Sequence, residues 1–147
     1  MSMRLRNLWL PLTIIALTGC GDEGVEELPE TPQLLVDRTE LLFDTEFAAG
    51  TYVGATTFNT LYIENRGIQT LELSEITLTG PTVFTMKRPE GWPETGPMKL
   101  ETYARTFIEV AFKPNAAREF EGKLTIKSNA ANGDTRELTL KGKGIAP

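Results

Sequence analysis

The chain contains no histidine. This removes the most frequent general base, the most frequent metal ligand and the side chain that titrates near neutral pH. Cys20 is its single cysteine, so no disulfide can form within the chain, and zinc sites built from His and Cys are excluded by count. Basic residues are the minority, 15 Lys+Arg against 20 Asp+Glu in 147 residues. Phosphate contacts need clustered Lys and Arg, so nucleic acid is not an expected partner. The apolar run Leu8–Leu17 is about half the roughly 20 residues a bilayer-spanning helix takes, and Pro11 interrupts it. No window of useful length fits a helical period. Nucleophile elbows, phosphate loops and metal motifs are missing too. Lys127 and Ser128 are strand neighbours and point to opposite faces, so they cannot act together. The expectation is a protein that is not an enzyme and binds no cofactor.

What is present begins at the N-terminus. Arg4 and Arg6 precede the apolar run, and Leu17-Thr18-Gly19-Cys20 closes it. That order matches a signal peptide with a cleavage site after small residues. The segment resembles the bacterial lipoprotein signal and its lipobox. The resemblance implies that residues 1–19 are removed and that Cys20 becomes the lipidated first residue, carrying diacylglycerol and an N-acyl chain such as palmitate. Two or more chains suffice for stable anchoring. Gly21, not Asp, follows the cysteine, which by resemblance to bacterial sorting signals favours the outer membrane of the cell envelope. Without Arg4 and Arg6 the chain carries 13 bases against 20 acids, a net charge of −7. Such a surface is not drawn to anionic lipid heads, so membrane attachment rests on Cys20.

Residues 21–33 hold five acids, no base and two prolines. Together with Cys20 they read as a solvated, disordered tether, residues 20–33, between lipid and domain.

From Leu34 onward the apolar period is two. Leu61, Ile63 and Asn65 share a strand face, and Arg66-Gly67 turns the chain. Leu71 and Leu73 alternate, as do Ile76 and Leu78; the change of parity between the pairs places a bulge near Ser74-Glu75. Gly80-Pro81 breaks the strand. Ile108, Val110 and Phe112 alternate up to Pro114, then Phe120, Leu124 and Ile126, then Leu138 and Leu140 beyond an Asn132-Gly133 turn. Seven or eight short strands with this spacing predict an all-β, antiparallel sandwich over residues 34–147. The outward Lys123, Lys127 and Lys141 read as guards against edge-to-edge pairing.

Three stretches carry a family resemblance: Asn65-Arg66-Gly67 through Leu71-Glu72-Leu73, Gly80-Pro81 and Phe84; Ile108 to Pro114 followed by Gly122 to Asn129; and Leu138 to Gly144. Together they resemble immunoglobulin-like domains of the ASPM–SPD-2–Hydin (ASH) type, related to the major sperm protein and PapD-like sandwiches. The chain departs from the family pattern at Glu101-Thr102-Tyr103-Ala104, where a Pro-Gly turn is common, and at Arg118, where a glycine often precedes the next strand. The resemblance implies a scaffolding or interaction module with no catalytic residues.

Candidate sites are few. Arg88 to Pro97 is a Pro/Gly-rich loop holding Trp92, the one tryptophan outside the signal segment. Loops on rigid sandwiches often carry recognition, so Arg88, Trp92 and Pro93 form a candidate partner-binding loop; an isolated loop aromatic also caps cores. Asp37, Glu40, Asp44 and Glu46 make an acidic cluster without the density that calcium requires. The resulting expectation is a lipid-anchored, non-catalytic module presenting an Ig-like head to an envelope protein. A glycan- or cation-binding surface module is the alternative, and a hydrolase ranks third.

Overall fold

The computed structural model describes residues 27–44 and 49–146. Ten strands form two sheets, with no helix among the described residues. The strands are β1 (Leu34–Val36), β2 (Glu40–Phe43), β3 (Thr51–Tyr52), β4 (Thr57–Asn65), β5 (Leu71–Thr79), β6 (Phe84–Lys87), β7 (Met98–Leu100), β8 (Arg105–Phe112), β9 (Glu119–Ser128) and β10 (Thr135–Ile145). One sheet has the order β1-β4-β8-β6; the other runs β2-β10-β9-β5-β7, with β3 also on β10. The expected sandwich is therefore present. The strands beyond the seven or eight anticipated come from short pieces of two to four residues, too short to show a period.

The pairing is not wholly antiparallel. Both β2 and β3 run parallel to β10. The chain crosses from one sheet to the other between β1 and β2: β1 pairs antiparallel with β4, while β2 continues in the same direction beside the last strand. The bulge falls where the parity changed, with a register shift between Leu73 and Glu75 against β9. Ser74 Oγ there donates to the Lys127 carbonyl at 3.2 Å.

Alternation builds the core. Leu61, Ile63, Leu71, Leu73, Ile108, Val110, Phe112, Leu124, Ile126 and Leu140 are fully buried between the sheets. Phe43, Phe84, Phe112 and Phe120 stack through one end, with centroids 4.9–5.8 Å apart. Gly142 makes room for this group: a Cβ there would stand 2.6 Å from the Phe112 ring.

Two expectations change. Lys123, Lys127 and Lys141 do not guard an edge, because β9 and β10 are interior strands. They lie on the outer face of the larger sheet and pair across strands, Lys123 with Glu137 at 3.1 Å, Lys127 with Glu75 at 2.7 Å and Lys141 with Glu40. Residues 29–33, read as the end of the tether, are docked. The carbonyls of Pro29, Glu30, Pro32 and Gln33 accept from the backbone N–H groups of Ile68, Gln69, Ala131 and Arg66 at 2.8–3.1 Å. Their carbonyls find partners on the sandwich despite a composition that reads as solvated.

Asn65 organises that docking. Its side chain is fully buried at the end of β4. Nδ2 donates to the carbonyls of Gln69 (2.8 Å) and Leu100 (3.0 Å). Oδ1 accepts from the N–H groups of Gly67 (2.9 Å) and Gln33 (3.3 Å). One side chain thus ties the N-terminal segment, the β4–β5 turn and β7 together.

Candidate interaction surfaces

Cys20 and Glu46 lie outside the described residues. The Trp92 loop fills the gap between β6 and β7. Trp92 is half-buried and packs against the core. The Arg88 guanidinium lies 5.5 Å from the centre of its ring; Pro93 is exposed. A backbone turn from the Trp92 N–H to the Pro89 carbonyl (3.3 Å) closes over Gly91, whose φ of +78° suits glycine. The loop is a structured cap whose aromatic ring is largely occupied.

Two of the acidic residues, Glu40 and Asp37, are tied into local pairs instead of converging, and Asp44 is exposed. Glu40 pairs with Lys141. Asp37 accepts from Arg38 at 2.7 Å and from the Tyr62 N–H at 2.9 Å. Partial burial pushes the Asp37 carboxyl up, but these hydrogen bonds and the Arg38 charge outweigh it and hold the group below the ordinary carboxylate range. Among the described residues, no group of three or more His, Cys, Asp or Glu could hold a metal ion.

The two outer faces of the sandwich differ sharply. Across the larger sheet, four cross-strand ion pairs cover the surface, with Lys99–Glu72 at 3.3 Å joining the three above. Neighbouring glutamates raise the affinity for the proton at Lys127 and Lys141, chiefly through hydrogen bonds from each ammonium to Glu75 and Glu40. Across the smaller sheet the outward positions include three exposed aromatics and a leucine. Phe58 is 61% exposed, Leu35 45%, and Tyr62 and Phe107 44% each. Tyr62 and Phe107 are register partners on β4 and β8, with ring centres 6.2 Å apart.

A polar bracket bounds this aromatic face at one end. Glu64 is buried on the same outward face. Arg66 Nε donates to one carboxylate oxygen at 2.6 Å, and Arg105 Nε and Nη2 donate to the other at 3.1 and 2.6 Å. These contacts, the hydrogen bond before the charge, raise the Arg105 pKa further above its already high value. Both guanidinium groups remain about half exposed and keep free donors; Arg66 also lies 5.5 Å from the Tyr103 ring centre. Neither this bracket nor the aromatic face was among the sequence candidates. The signal was available in part: Phe58, Tyr62 and Phe107 occupy the parity of their strands that should be polar.

Neither a family model nor a curated protein sequence matches the chain. Solved structures do. The ASH/PapD-like domain of human CEP192 (PapD-like domain 7) superposes with a TM-score of 0.60 at 15% identity, covering 99% of each chain. The VesB protease of Vibrio cholerae matches at 0.54 and 16% identity, over 78% of this chain and 32% of that one. The periplasmic chaperone SfaE matches at 0.50 and 9% identity, over 77% and 57%. At these identities the likeness speaks to fold: the protein has an immunoglobulin-like β-sandwich fold, similar to that of the ASH/PapD-like domain. Function has to come from its surfaces.

Proposed function

We propose that this protein is a non-catalytic interaction module, held at the bacterial cell envelope by lipid on Cys20 and engaging protein through the outer face of its four-stranded sheet. The observation that carries the reading is the difference between the two faces. One is laced by four ion pairs, with Leu42 and Tyr52 exposed on its strands β2 and β3; the other leaves Leu35, Phe58, Tyr62 and Phe107 in solvent. Exposed apolar side chains gathered on one face beside half-exposed arginines mark interaction sites. The Trp92 loop is the weaker candidate, because its indole is already packed on the core.

Two experiments test the two halves. In cells fed labelled palmitate, Cys20→Ser is expected to lose the label and leave the membrane fraction; continued labelling of that variant sinks the anchor. A photo-crosslinking residue at Phe58 is expected to capture protein, whereas one at Thr125 on the opposite outer face is not. Equal capture from both positions removes the assignment of the surface.

A further inference from the structure

We infer that the end of the sandwich carrying Ile68 and Tyr103 rests on the bilayer, with its apolar tip set among the headgroups of neutral phospholipid. This orientation rests on the proposed lipid at Cys20 and goes beyond it. The anchor holds the chain to a membrane; the contact at the tip sets how the domain stands there. Lipid is selected as the occupant by the length of chain between anchor and domain, and by where that chain enters. Because residues 29–33 are docked, only nine residue steps separate Cys20 from Pro29, about 30 Å at full extension. The docked segment lies directly on the β4–β5 turn, since a Cβ at Gly67 would collide with the Thr31 carbonyl. The 11 residues of β10 alone span about 34 Å at the rise of a strand. The tether is thus shorter than the domain it holds.

The chain enters beside Ile68, whose N–H donates to the Pro29 carbonyl at 2.9 Å. Ile68 is 54% exposed and Tyr103 56%. Thr102 Oγ1 donates to the Ile68 carbonyl at 2.8 Å, so the two loops form one tip. Tyr103 has a φ of +60°, a conformation that suits glycine or asparagine and is costly for a bulky residue. The Asn65 carbonyl fixes it there, accepting from the Tyr103 N–H at 2.9 Å. A phenol ring turned to solvent at a strained position serves contact better than folding. Arg66 lies 5.5 Å from the ring centre, and the water–lipid boundary accommodates both groups, the tyrosine ring at headgroup level and the arginine head in water. The loops at this end carry Glu27, Glu30, Glu101 and Asp134 against Arg66, so attraction to anionic heads contributes nothing and the contact is apolar. Tyr52 and Val53 are also exposed, but β3 lies beside the last residues of β10, a domain length from the tether. Standing on its Ile68 end, the domain turns the four-stranded face sideways, Arg66 and Arg105 nearest the bilayer and Phe58 farthest from it. That face is then open to a protein on the same membrane.

The chain purified from cell membranes and reconstituted into phosphatidylcholine vesicles reports the contact. Ile68→Cys carrying an environment-sensitive fluorophore is expected to lose about half its emission to a quencher at the acyl boundary, the depth at which interfacial side chains sit. Val53→Cys with the same probe, at the far end of the sandwich, is expected to keep its emission. Raising the salt is expected to change neither, since screening acts on charges and not on apolar contact. Tyr103→Asn removes the ring but keeps a residue that accepts the positive φ; it is expected to bring the Ile68 quenching down toward the Val53 level, with protease resistance showing that the fold is kept. Equal quenching at Ile68 and Val53 in a chain that floats with the vesicles overturns the inference and leaves the anchor standing. So does quenching that needs anionic lipid, or that is undiminished in Tyr103→Asn. Shielding of the Ile68 probe in native membranes but not in the lipid vesicles gives the tip to a protein and likewise overturns it. A chain that takes no palmitate and does not float with the vesicles removes the anchor and the orientation together.

Discussion

Asn65 offers the sharpest test of how this sandwich is held together. Replacing it with alanine removes four hydrogen bonds at once. Two of the abandoned groups, the Gly67 N–H and the Leu100 carbonyl, belong to buried residues; those of Gln33 and Gln69 belong to residues that water reaches. A buried polar group left unpaired costs about 1–3 kcal/mol, and a solvent-accessible one about 0.5–1 kcal/mol. The sum is about 3–8 kcal/mol, a large share of the 5–15 kcal/mol typical of a domain. In urea, with a slope of roughly 2 kcal/mol per molar, the midpoint is expected to fall by about 1.5–4 M.

Asn65→Asp separates the hydrogen-bond account from a packing account. It keeps the volume and the two accepted bonds, but turns an oxygen toward the Gln69 and Leu100 carbonyls, where Nδ2 now donates. It is expected to cost at least as much as the alanine. An Asn65→Asp chain within 1 kcal/mol of the parent, by urea unfolding followed by tryptophan fluorescence, would refute the reasoning. So would an alanine variant that loses less than about 1.5 kcal/mol, which is no more than a single such bond.

Gly142→Ala drives a methyl into the Phe112 ring at the centre of the phenylalanine stack. Overpacking of a dense core costs typically 1–3 kcal/mol, and a thermal midpoint lowered by several degrees is expected; an unchanged midpoint would mean the stack has slack. Asp37→Asn probes the acid limb of stability. The folded Asp37 carboxyl sits below its ordinary value, so its contribution is present above the unfolded pKa and is lost as pH falls through the folded one. The variant is expected to flatten the loss of stability below about pH 4, the ordinary carboxylate range. Parallel pH–stability curves for parent and variant would contradict this.

The strands were legible where they were long. Period-two alternation located β4, β5, β8, β9 and β10, the parity change at Ser74-Glu75 located the bulge, and Arg88–Pro97 matched the β6–β7 connection residue for residue. Asn65 was legible as a polar residue on an apolar face; its four partners were not, because they come from segments 2 to 35 residues away. The lysines were misread because being at an edge is a property of the sheet order, not of the strand. Local alternation is the same on interior and edge strands, and only the pairing of β2 and β5 with β10 and β9 shows that both flanks are taken. Residues 29–33 were misread because composition weighs side chains, whereas these residues are held by their carbonyls.

The candidate surface was hidden for a related reason. Tyr62 and Phe107 are 45 positions apart in sequence, and neither is unusual alone, since single exposed apolar residues are normal on proteins. They become a patch only when antiparallel pairing of β4 with β8 puts them opposite one another. The same pairing sets Glu64 beside Arg105, and the turn held by Asn65 brings Arg66 back onto Glu64. A carboxylate buried on an outward face is costly unless it is paired, and here two arginines pair it while keeping half their own surface in water. That arrangement adds little net stability, because the desolvation of Glu64 offsets its two ion pairs. It does fix two guanidinium groups at the rim of an aromatic patch, with donors left over. Across the larger sheet the sequence spends its charges on one another, strand to strand. On the smaller sheet it leaves apolar area exposed beside two half-exposed arginines that share one carboxylate, and that contrast favours a partner there.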